Sequence, residues 1–60
     1  MYYVLNADVI HPETQKILKS KGSIVDSATF TEWRISLGID YIDAKVCRSL
    51  DVAFILSSQI

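Results

Sequence analysis

The chain has 60 residues, half of them apolar, and carries six Lys plus Arg against seven Asp plus Glu for a net charge of −1. A chain this short buries roughly 60% of the surface that its unfolded form exposes, so residues 1–60 make a single, marginal domain. One cysteine, Cys47, and one histidine, His11, rule out an internal disulfide and a Cys/His zinc site, and the balanced charge provides no field to draw in nucleic acid or an anionic membrane.

In chain order, Tyr2 to Val9 alternates like a strand: Tyr3, Leu5, Ala7 and Val9 share one face, and Tyr2, Val4, Asn6 and Asp8 share the other. His11-Pro12 marks a boundary, because the residue before proline is pushed out of the α region while proline itself suits a first helical position. A helix is expected from Pro12, with Glu13 in its first turn, the basic cluster Lys16, Lys19 and Lys21 toward its end, Gly22 as its left-handed cap, and Ile17 and Leu18 as its buried residues.

Ser23-Ile24-Val25 is a short connector, followed by Asp26, Ser27 and Thr29 as candidate caps. Thr29-x-x-Glu32 has the form of a capping box and sets a second helix from about Phe30 to Leu37, with Phe30, Trp33 and Leu37 on one face. Gly38 ends it, and Ile39 is placed to fold back onto Trp33. Asp40 then caps a third helix with an apolar stripe of Ile42, Val46, Leu50 and Ala53 against polar Asp43, Lys45, Arg48 and Asp51. From Val52 to Leu56 five consecutive apolar residues fit either a helix buried all round or a short covered strand, and residues 52–57 are left open between the two.

The expected fold is therefore α+β and mainly helical, an N-terminal strand followed by three short helices, with a short C-terminal strand as the other form of the tail. Small scaffolds without a disulfide or a metal gain stability by oligomerising, so a homodimer or larger assembly is expected. The longest apolar run is far shorter than the roughly 20 residues of a membrane helix, which argues against a membrane. A lone thiol and the absence of a basic-then-apolar leader favour a reducing cytoplasm.

No catalytic, cofactor or metal set emerges. Cys47 lies on the flank of the apolar stripe, where burial makes a thiol inert, and His11 reads as a helix-entry residue, so no enzyme is expected. Phe30 to Ser49 has a faint helix-turn-helix outline that would present Tyr41, Lys45 and Arg48 to DNA, but Asp40 and Asp43 stand where phosphates would approach. Nucleic acid ranks below protein as a partner for that reason. The leading expectation is a small interaction module, an inhibitor or adaptor of a larger protein. It would also self-associate through apolar surface supplied by Tyr2, Tyr3, Trp33, Phe54 and Ile55.

Overall fold

The computed structural model describes all residues, Met1–Ile60. In order, the elements are β1 (Tyr2–Leu5), β2 (Val9–Ile10), β3 (Ile17–Lys19), β4 (Ile24–Asp26), α1 (Ser27–Ile35), β5 (Ala44–Cys47) and α2 (Leu50–Ser58). The expectation of a mainly helical chain with three helices is overturned: this is an α+β fold with five strands in two antiparallel sheets and two helices.

Strand β1 is the centre of the molecule. It pairs antiparallel with β4 on one side (Tyr3 opposite Val25) and with β5 on the other (Tyr3 opposite Val46), giving the sheet order β4-β1-β5. Because side chains alternate across a strand, β1 feeds two cores. Leu5 joins Val9, Val25, Trp33 and Ile42 on the α1 face, where Tyr3, Phe30, Leu37 and Ile39 pack on them. Val4 joins Cys47 and Ala53 on the α2 face, with Tyr2, Ile24 and Leu56 against them. Val4 and Leu5 are the two largest side chains that lie fully inside.

The strand expected to run to Val9 ends at Leu5. The chain bends at Asn6 and Ala7, and Val9–Ile10 pairs instead with Ile17–Lys19 in a separate two-stranded sheet. The helix expected from Pro12 does not form. The ring Nδ1 of His11 accepts the backbone N–H groups of Glu13 and Thr14 at 3.1 and 3.3 Å, but Gln15 then turns left-handed at φ 64°, and the His11 N–H closes the hairpin onto the Lys16 carbonyl at 2.8 Å. With only Ile17 and Leu18 to bury, this segment has too little apolar face to hold a helix, whereas a ladder to β2 satisfies its backbone groups.

Helix α1 begins three residues earlier than the Thr29 box implies. Asp26 is its cap, its carboxylate accepting the Thr29 N–H at 2.9 Å, so Thr29 sits inside the first turn. Its end follows expectation: Gly38 takes φ 69°, and the Ile39 N–H returns to the Trp33 carbonyl at 3.2 Å. The third helix expected from Asp40 is replaced by a loop and strand β5. Ile42 and Ala53, assigned to one stripe, are buried in different clusters on opposite faces of the sheet, while Val46 and Leu50 stay exposed. The tail resolves as helix, not strand: Ser49 caps α2 by accepting the Val52 N–H at 3.3 Å, with Asp51 in the first turn.

Candidate docking surface

Helix α2 has no apolar stripe in the ordinary sense. Ala53, the residue aimed at the sheet, is 0% exposed, and Leu56 and Ser57 flank it half-buried, the Ser57 hydroxyl donating to the Gly22 carbonyl. The remaining apolar residues of the helix face outward: Leu50, Val52, Phe54 (58% exposed) and Ile55 (59% exposed). A helix that is apolar all round is normally covered all round. Here the fold covers one side only.

Beside α2 the edge strand β4 leaves a groove of about 450 Å³. Leu50 and Phe54, one turn apart on the same side of the helix, form one wall, with Tyr2 and Ile24 on the α2 face of the sheet beside them. Lys19 of β3 and Asp26 of β4 line it as well, one charge of each sign. The Asp26 carboxyl is held below its ordinary value of 3.8, first by the Thr29 hydroxyl and then by the Thr29 backbone N–H; the Met1 ammonium is the only charge that adds to this. It is therefore an anion at neutral pH, and Lys19 is not its partner.

The residues assigned to an interface from sequence separate into two groups. Tyr2 and Phe54 meet at the groove, and Ile55 stands one residue along α2 on the exposed side. Tyr3 and Trp33 are on the other side of the sheet, Tyr3 stacked on Phe30 with centroids 3.9 Å apart and planes at 7°, and Trp33 buried beneath α1. From sequence, Leu50 falls in a helix stripe, Lys19 in a basic cluster, Asp26 among candidate caps and Ile24 in a connector, which does not bring them to one surface. Leu50 and Phe54 carry the i, i+4 signal that would have found them, but nothing local in the sequence brings β3 and β4 beside α2. Tyr41, Lys45 and Arg48, assigned to a recognition helix, lie on a loop, on β5 and on the bend after β5, so no helix presents them together.

A second depression, about 460 Å³, is lined by Ser20, Lys21, Gly22, Ser23, Ser57 and Ile60. Its composition suggests an anion cradle, but its backbone N–H groups are already committed: Lys21 to the Asp8 carboxylate at 2.6 Å, Gly22 to the Leu5 carbonyl at 2.8 Å and Ser23 to the Ser20 carbonyl at 3.1 Å. Cys47 is buried between Val4 and Ala53 as a free thiol, its Sγ 3.8 Å from the Lys45 carbonyl. No three His, Cys, Asp or Glu side chains converge as metal ligands, and no helix is long and apolar enough to cross a membrane. Comparison with protein-family models, curated proteins and solved structures returned no match.

Proposed function

We propose that this chain is a protein-interaction module of the adaptor or inhibitor kind, working by covering a surface rather than by catalysis. The observation that carries the reading is α2: a nine-residue helix with four large apolar residues exposed, two of which, Leu50 and Phe54, line a groove with mostly apolar walls. Contiguous apolar patches rimmed by polar residues mark docking sites on small proteins, and aromatic side chains in partly formed pockets are their usual anchors. Phe54 and Tyr2 are those anchors here. Cys47, single, buried and unpaired, fits a reducing compartment.

Photo-crosslinking from one position tests this. With p-benzoylphenylalanine in place of Phe54, irradiation in a cell extract is expected to give discrete protein adducts. The same probe in place of Ile35, the exposed last residue of α1, is expected to give few. Equal yields from the two positions, or no adduct from position 54, would overturn the reading.

A further inference from the structure

Resting on that reading, we infer that the occupant of the groove is a second copy of this chain, docked about a two-fold axis with Leu50 and Phe54 at the centre and Lys19 of each copy paired with Asp26 of the other. In a two-fold contact every residue pair occurs twice, so a surface binds itself only when it carries its own complement. This groove does. Most of its lining residues are apolar, and the charged ones are one cation and one anion, Lys19 and Asp26.

Neither charge has another role that the contact would disturb. Asp26 accepts from the Thr29 N–H and is also held by the Thr29 hydroxyl, yet an ionised carboxylate has about four acceptor positions and can still accept from an ammonium; Lys19 is an exposed β3 residue. Opposite charges at the rim of an apolar contact set the register and exclude wrong partners more than they add affinity.

Area supports the same occupant. A standard interface takes about 800 Å² from each partner, roughly a fifth of the 4164 Å² that this chain exposes. Half-exposed side chains of this size each show on the order of 100 Å², so Leu50 and Phe54, the two α2 residues that line the groove, supply about a quarter of that requirement, with Tyr2 and Ile24 beside them. Only eight of the 60 residues are buried within the chain, and a self-contact on α2 would complete the cover that the core leaves unfinished.

Sedimentation of the purified chain from micromolar to millimolar concentration tests the inference, with circular dichroism showing that each variant is folded. The wild type is expected to pass from monomer to dimer and no further. Phe54→Ser should weaken the dimer by about tenfold or more, as for an interface anchor. Lys19→Asp should weaken it several-fold, an effect reduced by high salt and relieved when Asp26→Asn, which keeps the helix cap, is added to it. A chain that stays monomeric, a dimer that survives Phe54→Ser, or one indifferent to Lys19→Asp overturns the inference. If the chain is monomeric while the position-54 probe still yields adducts with a different protein, the second copy is wrong and the interaction reading stands. No dimer and no adduct would end both.

Discussion

Asp26 ends strand β4 and caps helix α1 with the same carboxylate. Because Thr29 holds its pKa down in the folded chain, the unfolded chain takes up that proton at higher pH than the folded one does. The contribution is therefore complete above the unfolded value and is lost as pH falls through the lowered folded value. Stability should drop below about pH 4, the ordinary aspartate range, and Asp26→Asn should flatten that part of the denaturant-midpoint profile while leaving the profile above it unchanged. Two left-handed residues predict opposite signs. A Cβ built on Gly38 meets nothing within 4 Å, so Gly38→Ala carries only the backbone cost of φ 69°, about 1–2 kcal/mol. Gln15 already bears that cost at φ 64°, and Gln15→Gly should raise the melting temperature where Gly38→Ala lowers it. Gly38 was legible in the sequence because a glycine after an amphipathic run is a strong stop signal. Gln15 was not, since nothing in the residue type asks for φ above zero.

At the scale of elements, α2 shows a helix whose buried contact is one small side chain. Ala53 sits at 0% exposure between Val4 and Cys47, which lets the helix axis approach the sheet closely. Ala53→Leu should push the helix away at a cost of about 1–3 kcal/mol, the usual range for overpacking. Two residues on, Ile55→Ser removes an exposed side chain and should change the stability of the monomer by less than about 0.5 kcal/mol. Denaturant titration of both variants at a concentration too low for association separates packing on the sheet from the outward face. The tail's two readings could not be distinguished from sequence because a fully apolar run has no period to read. Strand β5 misled for a related reason: Ile42, Val46 and Leu50 fall four apart, which imitates a helix, yet Ala44–Cys47 is held by β1, some forty residues earlier. Local spacing carries no record of such a pairing. The hairpin of β2 and β3 failed differently, through turn chemistry at His11 and Gln15 that resembles a helix start for its first three residues.

For the whole molecule, the two cores share one strand, and that sets how it fails. Leu5 is fully buried on the α1 face and Val4 fully buried on the α2 face, so β1 links both clusters through adjacent backbone units. The strand was legible as far as Leu5 from its alternation, as was the Trp33 face of α1. The contact of β1 with elements from both later thirds of the chain was not. Truncating Leu5 to Ala should cost about 2–5 kcal/mol, as large-to-small changes in packed cores do. A core of this size rarely supplies more than about 3–5 kcal/mol in total. The variant is therefore expected to lose the cooperative fold rather than to melt a few degrees earlier, with the near-ultraviolet circular dichroism of Trp33 and the Tyr3–Phe30 stack collapsing together. Loss of that signal with retained cooperative melting of α2 would show that the two faces fold independently and that β1 does not join them. If the dimer contributes to folding, raising the concentration should recover part of the Leu5→Ala signal, because association draws the unfolded chain back by mass action. The same recovery should vanish when Phe54→Ser is added, since that side chain is exposed on the single chain and belongs to neither core cluster.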